Sequence, residues 1–467
     1  MKFKALISLL LTSVVLLTKA QDVRKAELWL TNADRSNLFS RQRNSPRSGR
    51  IDQPNTIVVN EKKAYQTIDG FGFALTGGSA SHIIRMSPDR RRSLLRELFG
   101  IKDDGIGVSY LRVSIGSSDL NEKAYSYDDL AEGETDTTLG HFSLDPDKEN
   151  VIPVLKEILS INPSVKILAS PWSPPAWMKT NGDTKGGQLK PEYYGVYARY
   201  FVKYIQAMQR EGISIDAVTV QNEPLHPGNN PSLLMVASDQ ALFVKKYLGP
   251  AFRSAGIHTK IIIYDHNADR PDYPISILDD PEARKYIDGS AFHLYAGKID
   301  ALAYVHERHP DKNIYFTEQW IGSPSEFKED IKWHVRELII GATRNWSRNV
   351  IEWNLAADPQ LRPYTDRGGC DRCLGGVTID KDSVTRNPSY YIIAHASKFV
   401  RPGSRRVESN YIRALPNVAF RTAEGVMVLI VLNNTNTPQS FSIQHRNKIL
   451  NSSLKGGAVG TYVWRAY

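Results

Sequence analysis

The chain has 467 residues, of which 41% are hydrophobic and 23% charged. This balance is typical of a globular protein and excludes a disordered chain or a body embedded in a membrane. The formal net charge of +9 is modest for this length, and no aromatic residues interrupt the basic run Arg90-Arg91-Arg92, so nucleic acid binding is not predicted.

Residues 1–20 have the pattern of an export leader. Lys2 and Lys4 precede an apolar stretch over 5–17, and Thr18-Lys19-Ala20 follows it. The stretch is short for a helix that spans a bilayer. We therefore expect cleavage after Ala20, a secreted or periplasmic protein, and no membrane insertion after the leader is removed.

The next segment, 21–64, contains two short β-rich runs, 26–30 and 56–60. From 65 to 395, apolar runs alternate with amphipathic helical patterns. The predicted strands are 70–76, 108–116, 166–172, 216–224, 259–267, 289–295, 313–319 and 349–356. The predicted helices include 89–98, 151–159, 193–210, 238–255 and 325–345. Eight such repeats predict an α/β chain that forms a (β/α)8 TIM barrel, whose site lies at the carboxyl ends of the strands.

The last segment, 396–467, changes to short strands and turns, with strands predicted at 405–408, 418–422, 426–433, 439–444 and 460–465. Together with the strands before residue 64, these predict an antiparallel β-sandwich beside the barrel. A tethered carbohydrate-binding module is the less favoured alternative, because no Pro- or Ser-rich linker precedes the segment.

Two predicted strands end on a glutamate. Glu223 follows the apolar run 213–220 and precedes Pro224, which cannot continue a sheet, and Glu318 ends the run 313–317. A single glutamate at a strand end is more often a loop residue or a helix cap. Two that converge at one barrel mouth, about 5 to 5.5 Å apart, are what a retaining glycoside hydrolase needs. Glu223 suits the acid/base role, because Asn222 beside it can bond the sugar, and Glu318 suits the nucleophile.

Other predicted strand ends carry residues that bind sugars. Trp172 offers an aromatic face for a sugar ring, or else packs in the core; Asp119 can accept bonds from hydroxyls, or else forms a turn. His293 and Tyr295 end the sixth strand, and Tyr295 could donate a hydrogen bond to the nucleophile. Trp353 and Asn354 end the eighth strand. We predict all of these as substrate-binding residues.

Metal and redox chemistry are the less favoured interpretations of two further motifs. Asp265-His266-Asn267 could form a metal ligand set only with further acidic or histidine ligands, which the sequence does not supply at a matching spacing. Cys370 and Cys373 are the only cysteines, and in an exported chain they predict a small structural disulfide rather than a redox motif or half of a zinc site. No metal and no cofactor are predicted.

Several motifs, in order, carry a resemblance to a known family. They are LASPWSPPAWMKTNG (168–182), AVTVQNEP (217–224), FTE (316–318) and EWNLA (352–356), with FGFALT (71–76) and AHASKF (394–399) at the two ends. The chain resembles glycoside hydrolase family 30, which includes glucosylceramidase. The resemblance implies Glu223 as acid/base, Glu318 as nucleophile, and a sugar subsite lined by Asp119, Trp172, Asn222, Tyr295 and Trp353. It also implies a barrel with a side β-sandwich built from both chain ends.

The expected function is therefore retaining hydrolysis of β-glucosides, as by a glucosylceramidase, with a carbohydrate or glycolipid as partner. The loop around Cys370 departs from animal glucosylceramidases and resembles bacterial members and β-1,6-glucanases. Endo-β-1,6-glucanase or β-xylosidase activity is thus the alternative within the class. A non-catalytic carbohydrate-binding scaffold is the alternative from another class, and the presence of both glutamates argues against it. The sequence makes no prediction of oligomeric state.

Overall fold

A computed structural model describes residues 26–43, 47–50, 53–102 and 104–465. The predicted leader at 1–20 lies outside this range. Within the described residues, no helix is both long enough and apolar enough to cross a membrane.

Eight parallel strands form the first part of the molecule. They are β1 (Gly70–Ala74), β2 (Tyr110–Ile115), β3 (Lys166–Pro171), β4 (Ala217–Thr219), β5 (Lys260–Ala268), β6 (Ile287–Gly297), β7 (Asn313–Glu318) and β8 (Asn349–Glu352). They are hydrogen-bonded in the order β7-β6-β5-β4-β3-β2-β1-β8. The ring closes between β7 and β8, where the Arg348 N–H donates to the Ile314 carbonyl at 2.9 Å. The predicted TIM barrel is confirmed.

Helical segments follow the strands around the barrel. The α-helices are Gly77–Arg85, Pro88–Phe99, Val151–Ile161, Tyr194–Arg210, Ala237–Phe243, Gly249–Ser254, Asp272–Leu278, Pro281–Arg284, Ala301–Arg308, Phe327–His334 and Pro388–Ser397. Short 3-10 helices are Asp145–Asp147, Ala176–Met178 and Pro191–Tyr193, and π-helical segments are Val244–Leu248 and Val335–Ala342. The five predicted helices are present, and the sequence patterns missed the shortest ones because two turns of helix barely express a 3.6-residue period.

The fourth strand differs from its prediction. It ends at Thr219 and does not run to Pro224. Beyond it the backbone still bonds to its neighbours, because the Asn222 N–H donates to the Pro171 carbonyl (2.8 Å) and the Glu223 N–H to the Asp265 carbonyl (3.0 Å). Glu223 itself has a φ of 44°, outside the strand region. The missing N–H of Pro224 is therefore not what ends the strand.

The second part is a ten-stranded sheet. Its strands, in order of pairing, are Ser40–Arg41, Glu27–Thr31, Val459–Arg465, Val426–Leu432, Asn417–Arg421, Arg405–Ser409, Asn55–Thr67, Gln439–His445, Lys448–Leu454 and Arg47–Ser48. Both chain ends contribute to it, as predicted. The pairing is antiparallel except between Asn55–Thr67 and Gln439–His445, which run parallel, so the predicted antiparallel module contains one parallel pair. Lys448–Leu454 was not predicted, because its polar Asn-Ser-Ser centre resembles a turn.

Buried polar contacts join the two parts. The imidazole of His395, on the helix Pro388–Ser397, bonds through its two ring nitrogens to the hydroxyls of Thr31 and Thr461, each at 2.8 Å. The Ile68 N–H, just before β1, donates to the Ser404 carbonyl at 2.7 Å. The barrel and the sheet therefore share a continuous interface.

Candidate active site

A layer of polar side chains lies inside the barrel directly above an apolar layer. The apolar layer consists of Tyr110, Leu168, Ala217, Ile262, Ala291, Tyr315 and Ile351. Side chains two residues apart on a strand share a face, so the next inward positions are Arg112, Ser170, Thr219, His293 and Thr317, all of them buried. The strand period thus brings together a polar cluster at the carboxyl end of the barrel.

Asp265 joins this layer through an irregularity in β5. The pairing of β5 with β6 shifts register between Ala291 and Phe292, and Tyr264 and Asp265 have φ values of 71° and 69°. A bulge of this kind re-aims a side chain at a barrel rim. It turns Asp265 inward, where both carboxylate oxygens accept hydrogen bonds: Oδ1 from Thr317 (2.6 Å) and Oδ2 from Thr219 (2.7 Å).

Arg112 is the cation at the centre of the cluster. Its guanidinium, which is fully buried, donates to Glu318 Oε2 at 2.5 Å, to Asn222 Oδ1 at 2.6 Å and to Asp265 Oδ2 at 2.8 Å. The guanidinium carbon also lies 4.8 Å from the ring centroid of Trp172. Because an arginine offers five donors in a rigid fork, it can fix several groups at once. Here it holds Glu318 in place and, by occupying Oδ1 of Asn222, leaves that amide's N–H₂ as the free donor.

Glu223 lies in the loop after β4 and is 8% exposed. Its Oε1 is 3.3 Å from Nδ1 of His293, and Nδ2 of Asn229 is 3.5 Å from Oε2. Burial favours the neutral acid, but the hydrogen bond and the positive charge of His293 outweigh it and lower the pKa of Glu223.

Glu318 ends β7 and is 6% exposed. Its Oε1 accepts a hydrogen bond from the Tyr295 hydroxyl at 2.9 Å, and its Oε2 accepts the bond from Arg112. Burial raises the pKa of Glu318, while the charges of His293 and Arg112 act in the opposite direction.

The two glutamates face each other across the mouth of the barrel. One carboxylate oxygen of Glu223, one of Glu318 and a ring nitrogen of His293 all lie within 4.8 Å of one another. The separation suits a double displacement, whereas a single displacement by water needs about 6.5 to 9.5 Å between the carboxyl groups.

His293 lies below the glutamates and does not line the cavity, contrary to its prediction as a substrate-binding residue. Its ring is fully buried, and Nε2 is 3.2 Å from Asp265 Oδ1. Burial favours the neutral ring, but the carboxylates of Glu318, Asp265 and Glu223 outweigh it and raise the pKa of His293 to about 9. The imidazolium and the Arg112 guanidinium together offset part of the negative charge of these carboxylates.

The glutamates open into a cavity of about 350 Å³. Its walls are Asp119, Trp172, Asn222, Glu223, His226, Asn229, His266, Asn267, Tyr295, Glu318, Trp320, Trp353, Cys370 and Cys373. The rings of Trp172 and Trp353 stack on each other with centroids 5.3 Å apart. Burial, followed by the charges of Glu318 and Glu223, raises the pKa of Asp119 to about 8. At neutral pH Asp119 is therefore mainly a neutral acid that can donate a hydrogen bond.

Cys370 and Cys373 are joined by a disulfide at the edge of the cavity. Cys373 and Leu374 pair with Ile321 and Gly322, directly after the strand that carries Glu318. On the other side, the Thr365 N–H donates to the Asp119 carbonyl at 2.9 Å. The disulfide loop therefore bridges two loops that carry cavity residues.

Both parts of the chain match family models. The model of the glycosyl hydrolase family 30 TIM-barrel domain covers residues 68–400, and that of the family 30 beta sandwich domain covers 403–462. The chain belongs to glycosyl hydrolase family 30. It is therefore an O-glycosyl hydrolase that acts on carbohydrate substrates.

Relatives within family 30 include two kinds of enzyme. The chain is 38% identical to an endo-1,6-beta-D-glucanase of Neurospora crassa over 351 residues, which cover 73% of this chain and 71% of the relative. It is 30% identical to the lysosomal acid glucosylceramidase of Mus musculus over 442 residues, covering 88% and 83%. The solved structure of the endo-beta1,6-glucanase BT3312 superposes with a TM-score of 0.88 at 36% identity, covering 95% of this chain and all of the other.

In this family 30 fold, Asn354, Asp265 and Asn267 bond to other parts of the protein. Asn354 does not reach the cavity, because its Nδ2 donates inward to the Ala356 carbonyl at 2.8 Å. The Asp265-His266-Asn267 run does not form a ligand set, since Asp265 bonds to the Arg112 cluster while Asn267 Oδ1 accepts the Tyr295 N–H at 3.0 Å. The remaining predicted residues, Asp119, Trp172, Asn222, Tyr295 and Trp353, line the cavity with both glutamates.

The sequence analysis missed Arg112 and Asp265 as members of the site, and His226, Asn229, His266 and Asn267 as cavity residues. One signal was available for Arg112: a charged residue in the middle of the apolar run Tyr110–Ile115 must be paired if it faces inward. For Asp265 the signal was its position near the end of the predicted fifth strand, but its inward direction depends on the bulge.

Proposed function

We propose that the protein is a retaining β-glycoside hydrolase that cleaves internal bonds of a β-1,6-linked glucan. The observation that carries the mechanism is the separation of the two carboxylates, with oxygens of Glu223 and Glu318 within 4.8 Å of each other. This gap leaves no room for a water molecule in line between carboxylate and sugar, so one carboxylate must itself attack the anomeric carbon.

The roles of the two glutamates follow from their donors. Glu318 accepts short bonds from Arg112 (2.5 Å) and Tyr295 (2.9 Å), which stabilise a carboxylate and aim it. The contacts of Glu223, at 3.3 and 3.5 Å, are longer. The charge of His293 lowers the pKa of Glu223, which opposes the acid role in the empty site. The hydrogen-bond lengths nevertheless distinguish Glu318, a fixed carboxylate, from Glu223, which is free to turn toward a leaving group.

In the first step, a carboxylate oxygen of Glu318 attacks the anomeric carbon, and the bond to the glycosidic oxygen breaks. Glu223 gives its proton to that oxygen, which leaves as the hydroxyl of the shortened chain. In the second step, Glu223 takes a proton from water, and the resulting hydroxide displaces Glu318 from the anomeric carbon. The sugar keeps its β configuration, and both carboxyl groups return to their initial states.

The cavity walls suit a single pyranose at the reacting position. Trp172 and Trp353 line the cavity and supply apolar ring surface for the C–H side of the sugar. Asn222 and Asp119 offer donors to hydroxyl groups, and Tyr295 holds Glu318 from the side. Sugar hydroxyls that bond to these groups restrict the ring to one orientation over Glu318.

Two kinds of substrate have support from the relatives. The Neurospora crassa endo-1,6-beta-D-glucanase and the endo-beta1,6-glucanase BT3312 are 38% and 36% identical, which favours a β-1,6-glucan. The identity of 30% to the mouse lysosomal acid glucosylceramidase keeps glucosylceramide as the second candidate. Glucosylceramidase-like activity, the main expectation from the sequence, therefore has less support than its alternative.

A substrate panel distinguishes these candidates. Purified protein is incubated with β-1,6-glucan, gentio-oligosaccharides, glucosylceramide, an aryl β-glucoside and an aryl β-xyloside, with the Glu318→Gln protein as the blank. We expect β-1,6-glucan to yield a ladder of oligomers and to be cleaved fastest. Release of glucose alone would contradict internal cleavage, and preference for glucosylceramide would contradict the glucan assignment. Proton NMR of the first product checks retention, since a retaining enzyme releases the β-anomer before mutarotation.

We infer, as a separate proposal, that the protein is exported. Its support is the leader pattern over 1–20 and the disulfide between Cys370 and Cys373, a bond that persists in oxidising compartments. Expression of the full chain in a bacterial host, followed by mass spectrometry of the amino terminus, should find a protein that begins at Gln21. An intact Met1 in a cytoplasmic fraction would contradict the proposal.

A further inference from the structure

A second cluster of ionisable groups lies in the long loop between β2 and the helix Val151–Ile161, away from the cavity. One carboxylate oxygen each of Asp128 and Asp136 and a ring nitrogen of His141 lie within 4.8 Å of one another. None of the three lines the cavity that contains Glu223 and Glu318. The proposed glycosidase chemistry does not use them.

Asp128 is the unusual member of this cluster. The residue is 1% exposed, and neither carboxylate oxygen has a hydrogen-bond partner. Its backbone is held firmly, since the Trp177 indole N–H donates to its carbonyl at 2.9 Å. A buried carboxylate without a partner is costly, so it requires a proton or a cation.

The other two members are a carboxylate that accepts several hydrogen bonds and an imidazole beside it that is mostly exposed. Asp136 is 7% exposed, and its Oδ1 accepts bonds from the N–H and hydroxyl of Thr138. Its Oδ2 accepts the His141 N–H at 2.8 Å and lies 3.2 Å from Nδ1 of the His141 ring. The His141 side chain is 75% exposed. An ion placed between the three would therefore be reached from solvent, which could supply a further ligand.

We propose that Asp128, Asp136 and His141 bind a divalent transition metal ion of the Zn²⁺ type. Two carboxylate oxygens and one imidazole nitrogen form a mixed donor set, which Zn²⁺ accepts together with a water in the fourth position. Ca²⁺ and Mg²⁺ prefer oxygen ligands only. The ion would compensate the buried charge of Asp128.

The site would stabilise the loop that leads from Asp119 to the next helix. Elsewhere this loop is attached to the helix Tyr194–Arg210, because the Tyr127 N–H donates to the Tyr200 hydroxyl oxygen at 3.0 Å. Lys203 Nζ also donates to the Leu139 carbonyl at 2.5 Å. A bound ion would add a cross-link between 128 and 141 within the loop. The expected effect is on stability and on metal affinity, with hydrolysis unaffected in its chemical step.

The test uses the whole protein and ZnCl₂. After dialysis against chelator, titration calorimetry should find one Zn²⁺ site, and Zn²⁺ should raise the melting temperature. Asp128→Asn and His141→Gln should each weaken binding by about tenfold or more and remove the thermal shift. His258→Gln, which removes an exposed imidazole elsewhere, is the matched control and should bind as the wild type does.

The stability of Asp128→Asn also distinguishes a ligand role of Asp128 from a purely structural role. If Asp128 is a ligand, the variant in chelator should be at least as stable as the metal-free wild type, because it removes an uncompensated buried charge. If the variant does not fold, His141→Gln carries the test, since its side chain lies at the surface. Zn²⁺ binding that survives both substitutions would overturn the proposal and would point to Glu223, His293 and Glu318 as the site. Selective binding of Ca²⁺ that is insensitive to His141→Gln would also overturn it.

Discussion

Arg112 Nη1 lies 2.5 Å from Oε2 of Glu318, so a fully buried cation on β2 holds the carboxylate that ends β7. The same guanidinium bonds to Asn222, the neighbour of Glu223 in sequence. Arg112 therefore fixes the position of Glu318 relative to the loop that carries Glu223. The geometry of the candidate active site depends on this arginine as well as on the two residues that we assign to chemistry.

Replacement of Glu318 should abolish turnover. Without its carboxylate no glycosyl-enzyme can form, and we expect Glu318→Gln to lower kcat by about 10⁴-fold or more. In Glu318→Gly, azide should restore activity on an aryl β-glucoside by taking the vacated space and attacking the anomeric carbon, which yields the α-glycosyl azide. Measurable activity of Glu318→Gln without azide would mean that another group is the nucleophile.

Replacement of Glu223 should affect substrates according to their leaving groups. An acid catalyst contributes about 10² to 10⁴-fold where the leaving oxygen needs a proton. Glu223→Ala should therefore lower kcat/KM by this factor on gentio-oligosaccharides. The loss should be much smaller in the first step on a dinitrophenyl β-glucoside. The measurement is kcat/KM for both substrates. Equal losses on the two would argue against an acid role for Glu223.

Arg112→Met should damage both stability and activity. The substitution leaves Asp265 and Glu318 as buried carboxylates without their cation, which typically costs about 3–5 kcal/mol. The free energy of unfolding from urea titration, together with kcat, checks this. Arg92→Met, at an exposed position on the helix Pro88–Phe99, is the control and should leave both quantities close to wild type.

The contribution of His293 to the stability of the protein should fall as the pH rises from about 6.5 to 9. His293 has its pKa raised from 6.5 to about 9, so over this range the folded chain retains a proton that the unfolded chain has released. The stabilisation is complete below pH 6.5 and is lost as the pH passes 9; it amounts to about 3 to 4 kcal/mol at most, at about 1.4 kcal/mol per pKa unit.

Thermal melts of wild type and His293→Gln at several pH values check this expectation. The variant should be less stable at pH 6 and should show a weaker decline toward pH 9. His258→Gln, which changes an exposed imidazole, should follow the wild-type curve. Parallel curves for wild type and His293→Gln would mean that His293 does not hold an extra proton in the folded protein.

Loss of the disulfide should affect substrate binding more than folding. The bond closes a loop of only four residues, for which the chain-entropy model gives about 2 kcal/mol. Since Cys370 and Cys373 line the cavity, the Cys370→Ser/Cys373→Ser protein should have a raised KM on gentio-oligosaccharides with kcat nearly retained. Ser323→Ala, nearby in the loop after β7, serves as a control. A large loss of kcat at unchanged KM would place the loop in the chemistry instead.

The sequence by itself determined the elements and most of the strand-end residues. Strands and helices follow from local periodicity, and in a closed parallel barrel all strand ends meet at one rim, so Trp172, Tyr295 and Trp353 could be assigned to the cavity before any contact was known. The two glutamates could be paired for the same reason.

Only the tertiary structure decided which polar residues touch. His293 and Asn354 were assigned to the substrate, yet one supports the glutamates from below and the other bonds to the backbone of its own strand end. Asp265 enters the cluster through a bulge, and Arg112 finds partners 110 to 206 residues away. Contacts over such distances depend on register, twist and bulges of neighbouring strands, which local patterns of side chains do not encode.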